Sequence, residues 1–297
     1  YPLHSEVAAQ WLKAEWLPWG RPPWRQPLDQ IKDYFGEQMG LYFAFLGHYA
    51  AWLGPCALSG AALGAATYGE WHLESPAQAA FGLAIAIWGV LMLEFWKRRQ
   101  AFLALRWGTY GFKSDLEAAM RPEFQGLLRP SPLTGEEGLY FPRRRAAVLL
   151  CQSASVVGSM IVAVLACVWA IFALKWYLQY KSGTSWGETY GSSIGSAVNA
   201  VQIQILNSWY KSVAVFLNDR ENHQTDIAYQ DALISKLFLF QGVNSYSSFF
   251  YIAFIQEQAG IPCEAFNEDS CVYLLLQNLV VIFGFQLVAG NLIEVLL

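Results

Sequence analysis

Hydrophobic and polar positions along the chain fall into six long apolar stretches separated by polar ones. The stretches cover residues 41–68, 77–96, 146–174, 192–210, 237–256 and 271–297. Each comes close to or exceeds the roughly 20 residues an α-helix needs to cross a bilayer core, and charges rarely interrupt them. The pattern predicts an all-α polytopic membrane protein with about six transmembrane helices. Residues 1–40 read as a pre-membrane segment, 41–297 as the transmembrane domain, and 97–145 as its long loop. Ahead of the first stretch, Ser5 is placed to cap a short helix carrying Trp11, Leu12 and Trp16, which Pro22-Pro23 would stop. Trp11, Trp16, Trp19 and Trp24 suit either a membrane interface or packing against a cytoplasmic domain.

Polar residues inside the last three stretches are themselves periodic. Gln241, Asn244, Ser245 and Ser248 share one face of the fifth predicted helix, at i, i+3, i+4 and i+7. Ser192, Ser196, Asn199 and Gln202 follow helical spacing on the fourth, with Gln204 and Asn207 beyond. The sixth adds Gln277, Asn278, Gln286, Asn291 and Glu294. Polar groups aimed at lipid tails would lack partners, so these faces must meet protein or water. Two readings follow: a hydrophilic furrow for ions or lipid headgroups, or helix-to-helix hydrogen bonding through small and amide side chains.

Composition agrees with a membrane setting. Charged residues make up 14% of the chain and apolar residues 55%, with a mean hydropathy of +0.27, whereas soluble domains carry about 25% charged residues. The positive charges then orient the chain. Seventeen of the 19 Lys and Arg fall in residues 1–40, 97–145 and 211–236, and two fall in 175–190. The asymmetry predicts a cytoplasmic N-terminus and a cytoplasmic 97–145 loop. Lys97-Arg98-Arg99 and Arg143-Arg144-Arg145 sit at helix ends on that side, as topology anchors or headgroup contacts. Cys263 and Cys271 fall in an exoplasmic loop, where a disulfide is allowed.

Other candidate chemistry is sparse. The sequence contains no CxxC, HExxH, EF-hand loop or GxGxxG. There is no basic run of the kind that binds nucleic acid. No catalytic nucleophile stands out, and no enzyme activity is expected. Glu94 is spaced to pair with Arg98 at i+4. His48 is a lone histidine in an apolar helix, which suits a structural role. Asn291 and Glu294, at i and i+3, supply the start of a calcium site but far fewer than the 6–8 oxygens Ca²⁺ takes. A carboxylate at a helix end in the headgroup zone is the plainer reading of Glu294.

Tyr34-Phe35-Gly36-Glu37, with Leu41-Tyr42-Phe43-Ala44 and Leu46-Gly47, is similar to the entry of the first helix of anoctamins. Leu93-Glu94-Phe95-Trp96-Lys97-Arg98-Arg99-Gln100 and Arg106-Trp107-Gly108 resemble the exit of their second. Glu221-Asn222-His223-Gln224-Thr225 resembles the turn between the fourth and fifth. Phe240-Gln241-Gly242-Val243-Asn244-Ser245-Tyr246 and Phe250-Tyr251-Ile252-Ala253-Phe254 resemble the fifth helix. The resemblance implies calcium-activated lipid scrambling or ion conduction by a homodimer of ten-helix subunits, of which this chain would supply the first six helices. It implies a furrow lined here by Ser192, Ser196, Asn199, Gln202, Gln241, Asn244, Ser248 and Gln286, with Ca²⁺ as cofactor and Glu294 and Asn291 at the metal. Membrane lipids are the expected partners. Two departures qualify this. The family's asparagine one turn before Glu294 aligns with Gly290. The furrow positions that are basic in anion-conducting members read here as Gln241 and Phe285, which favours lipid scrambling or nonselective conduction. The competing expectation is a transport-inactive structural subunit of a larger membrane assembly.

Overall fold

The computed structural model describes residues 5–16, 18, 20, 22, 24–67, 76–109, 120–130, 135, 137–181, 185–265 and 268–296, while the side chains of residues 292–296 lie outside the description. Trp19, expected at an interface, also falls outside the described residues. The chain forms two compact units, Tyr1–Lys113 and Ser114–Leu297.

The first unit holds α1 (Glu6–Trp16), α2 (Leu28–Phe35), α3 (Glu37–Thr67) and α4 (Pro76–Arg106). Ser5 starts α1, its Oγ accepting weakly from the Ala8 amide at 3.4 Å. Gly36 separates α2 from α3 at φ 92°, a backbone conformation that side chains beyond glycine rarely adopt. Trp16 stands edge-on to Phe43 at 4.6 Å between ring centres, so it packs on α3, whereas Trp11 and Trp24 stay half exposed. Asp29 ties α2 to the end of α4, accepting from Arg106 at 2.5 Å and Trp107 Nε1 at 2.9 Å. α3 and α4 pair side by side. His48 is buried with Nε2 3.1 Å from the Met92 carbonyl, and Trp88 Nε1 donates to the Trp52 carbonyl at 2.9 Å. His48 is thus structural. Glu94 takes Lys97 at 2.6 Å rather than the expected Arg98, whose guanidinium lies over the Phe95 ring instead. Both spacings put the basic group on the same helix face, and the shorter reach wins.

The second unit begins with a small antiparallel hairpin, β1 (Leu127–Pro130) against β2 (Glu137–Tyr140). It continues as α5 (Arg143–Tyr180), α6 (Ser185–Arg220), α7 (Asp226–Phe250) and α8 (Cys271–Leu296). α7 runs on without a break into a π-helical turn, Tyr251–Gln256. A two-residue pair of strands, β3 (Glu264–Ala265) and β4 (Glu268–Asp269), leads into α8, and a disulfide joins Cys263 to Cys271 across it.

The architecture is all-α and polytopic, with two long helices described in the first unit, α3 and α4, and four in the second, α5 to α8. Three segments, Ala77–Arg106, Arg143–Gln179 and Cys271–Val288, are long and apolar enough to cross a membrane by length and composition among the described residues. α3 dilutes its apolar run with His48 and Pro55, and α6 and α7 with their polar stripes. Several helices outrun the apolar stretches. α4 extends ten residues past 96, and α6 ten past 210. Bilayer thickness limits only the apolar part of a helix. Its ends are set by breakers and caps, such as Pro142 ahead of α5 and Thr225 ahead of α7.

The apolar core of this unit lies between α5, α6 and α7. Val157, Val164 and Val168 of α5 meet Tyr210, Ala214 and Leu217 of α6 and Phe240 of α7. The Tyr210 and Phe240 rings stack at 3.8 Å. A second contact, Ala200 and Ile203 against Ile282, seats α8 on α6. α6 is therefore the central helix, flanked by α5, α7 and α8.

Candidate functional site: a polar seam along α6

Helical periodicity puts Ser192, Ser196, Asn199, Gln202, Ile203 and Asn207 along one side of α6, a run of about 22 Å at 1.5 Å per residue. Two helices close over it. On the α8 side, Ser192 Oγ donates to Gln277 Oε1 at 3.0 Å, and Gln277 Nε2 donates to Ser193 Oγ at 2.8 Å. One turn on, Ser196 Oγ lies 3.0 Å from both Asn278 Oδ1 and the Ser192 carbonyl. Asn278 Nδ2 is held by the Leu274 carbonyl of its own helix. On the α7 side, Asn244 is the hub. Its Oδ1 accepts from Gln202 Nε2 at 3.0 Å, and its Nδ2 faces Asn207 Oδ1 at 2.9 Å and the Ile203 carbonyl at 3.1 Å. Asn244 and Ser248 are fully buried.

The seam is only partly satisfied. Asn199 sits between the two sets, 3% exposed, and neither atom of its amide has a hydrogen-bond partner among the described residues. Gln202 Oε1, Ser247 Oγ and Ser248 Oγ are buried without partners too. Neutral amides left unpaired away from water cost free energy. The middle of the seam is its weakest stretch.

Beyond the seam, charges take over at the turn between α6 and α7. Asn222 adopts φ 54°, which asparagine tolerates better than most residues, and Thr225 Oγ1 caps α7 by accepting from the Ala228 amide. Glu221 Oε2 takes Lys236 Nζ at 2.7 Å and His223 Nε2 at 2.9 Å, and Lys236 also donates to Asn218 Oδ1 at 2.8 Å. Tyr229 donates to Asp219, and that bond raises the phenol above its ordinary pKa. Arg121 spans the turn, its guanidinium 3.9 Å from the Tyr229 ring centre and 2.9 Å from Asp226.

Residues 31–297 match the anoctamin family, whose description is calcium-activated chloride channel. The chain belongs to the anoctamin family. It is similar to human anoctamin-7, with 33% identity over 97% of this chain and 37% of that protein. It is 33% identical to human anoctamin-8 over 86% of the chain and 20% of the relative. With human anoctamin-10 the identity is 33% over 86% of the chain and 38% of the relative. The chain thus spans well under half the length of these anoctamins. An integral membrane protein follows from the family together with the apolar helices.

The anoctamin furrow positions named from sequence do not all meet. Ser192, Ser196, Asn199, Gln202, Asn244 and Ser248 come together in the buried seam. Gln241, one turn from Asn244, is exposed on α7, and Gln286 is half buried on α8 with Gln277 and Asn278 nearer the seam. Ser193 was not singled out, because next to Ser192 it breaks the helical spacing, yet it completes the Gln277 contact. At the far end of α8, Asn291 Nδ2 donates to the Leu287 carbonyl at 2.7 Å, and the Glu294 side chain lies outside the described residues. Among the described residues no three His, Cys, Asp or Glu cluster as metal ligands. Two side chains would in any case supply far fewer than the 6–8 oxygens Ca²⁺ takes. Lys175 also escaped sequence reading, because it lies one residue past an apolar stretch and looks like a loop cation.

Proposed function

We propose that this anoctamin segment carries the transport path of a membrane protein that moves phospholipid headgroups or, less selectively, ions, along the seam of α6, α7 and α8. On this reading the packed seam is the closed form of that path. The supporting observation is Asn199, a buried amide with both atoms unpartnered midway along the seam. A seam that served only to bind helices together would gain from filling this gap. A path that opens needs polar atoms free to meet a headgroup or a hydrated ion. Separation of α8 from α6 would release Gln277 and Asn278 to the same use. Uncharged amides and hydroxyls lower the cost of a polar headgroup crossing hydrocarbon without holding it. No covalent bond changes in such a step, so this is a transporter or channel function and not an enzyme's. The N-terminus is placed in the cytoplasm by the charge asymmetry. The working unit is a homodimer, and calcium dependence requires oxygen donors in addition to Asn291 and Glu294.

A second reading is favoured by a different observation. Most seam groups already bond one another, as in Ser196–Asn278 and Gln202–Asn244, which is how polar residues join membrane helices. On that reading the chain is part of a transport-inactive subunit. Reconstitution into liposomes with a fluorescent phospholipid separates the two. Loss of leaflet asymmetry that slows with Asn199→Leu supports the transport reading. Unchanged asymmetry with and without calcium overturns it.

A further inference from the structure

The end of α5 nearest the disulfide loop holds a cavity of about 410 Å³ between α5, the π turn and the segment leading to Cys263. Trp169, Phe172 and Trp176 of α5 and Tyr251 of the π turn form its walls, with the Phe172 and Tyr251 rings 4.3 Å apart. Its ammonium and amide side chains are Lys175, Gln179 and Gln256. Lys175 is 7% exposed, and its Nζ has no hydrogen-bond partner among the described residues. Gln256 is 4% exposed. Its Nε2 is fixed by the Pro262 carbonyl at 3.0 Å, which leaves Oε1 buried and, among the described residues, unpartnered.

The backbone is shaped around the lysine. A Cβ on Gly195 of α6 would stand 3.1 Å from Lys175 Cβ and 3.3 Å from its Cγ. The glycine thus leaves room for the aliphatic stem, which keeps the ammonium at the cavity instead of reaching for water. An ammonium buried without a counter-charge is costly. A cavity of this size is in the range that binds small molecules, and its apolar walls suit an acyl chain or glycerol backbone. Trp169 is 65% exposed and Trp176 49%, so the cavity opens sideways, where aromatic residues in membrane proteins meet the lipid interface.

We propose that this cavity binds one phospholipid, its phosphate against Lys175 Nζ and a hydrogen-bond donor of its headgroup, ammonium or hydroxyl, against Gln256 Oε1. The chemistry matches both unpartnered atoms at once. The phosphate supplies the negative charge that the lysine lacks, and the headgroup donor satisfies an oxygen that no anion could. Inorganic phosphate offers the first contact but leaves the aromatic walls empty. The lipid is held and not moved, so the site stands whether or not the seam conducts.

The test uses the full-length protein, purified in detergent and stripped of lipid, with bound lipid counted by native mass spectrometry. The probes are dihexanoyl phosphatidylethanolamine, dihexanoylglycerol without phosphate, and inorganic phosphate. One phosphatidylethanolamine per chain is expected to bind and to weaken about tenfold with Lys175→Met, while Lys175→Arg stays within about threefold. Trp169→Ala, at a wall that is mostly exposed, should weaken binding about threefold. Dihexanoylglycerol should fail to compete. Equal binding by wild type, Lys175→Met and Trp169→Ala overturns the site, as does displacement of the lipid by inorganic phosphate at the same concentration.

Discussion

The seam and the charged turn are both polar, both largely buried and both built on α6 and α7, yet they are held in different ways. At the turn, the Glu221–Lys236 ion pair is braced by His223, Asn218 and the Thr225 cap at bonding distances, with Glu221 Oε1 left over among the described residues. In the seam, neutral amides bond in pairs and leave Asn199 and Ser248 without partners. Charged, paired groups lock a geometry, because losing either partner strands a buried charge. Neutral, half-paired groups exchange partners at little cost. On the transport reading proposed above, the turn is the fixed hinge point and the seam the part that opens.

Substitutions break or sharpen that contrast. The largest effect is expected from Glu221→Ala, which leaves Lys236 buried with Asn218 as its remaining partner, a loss of about 3 kcal/mol. It should appear as a clear drop in the unfolding temperature of detergent-purified protein. Asn244→Leu comes next, since it strands Gln202 and Asn207, at about 2 kcal/mol in the same assay. Thr225→Ala removes one cap bond and should cost about 1 kcal/mol. Asn199→Leu should be the one substitution that does not destabilise, raising stability by up to about 1 kcal/mol, because it removes a buried amide that bonds nothing among the described residues. A loss of stability for Asn199→Leu as large as for Asn244→Leu would erase the distinction between seam and hinge.

The sequence made the spanning architecture readable because a bilayer sets both the length and the apolarity of a helix. The polar stripes were readable for the same reason: an amide in a spanning helix must have a partner. Which partner it has was not readable. Gln241 shares a stripe with Asn244, but only Asn244 points between helices, since the choice depends on how α7 is rotated against α6. Helix ends were misplaced wherever α4 and α6 run on past the apolar part. The reading of Glu94 failed by one residue of spacing. Lys175 was hidden altogether: its burial depends on Gly195, twenty positions away, and no local pattern links the two.

The π turn at Tyr251–Gln256 has a consequence for how anoctamin sequences compare. One turn of π-helix takes up an extra residue without unwinding the helix. Side chains after Phe250 are therefore rotated by roughly a quarter turn relative to an unbroken α-helix. A relative lacking one residue here could keep both ends of the helix in place and straighten the turn. An alignment drawn across it would then slip by one position, and residues facing the cavity in one protein would be paired with residues facing lipid in the other. If the turn converts between the two forms within one molecule, Gln256 and Tyr251 would swing together while the Asn244 end stayed where it was.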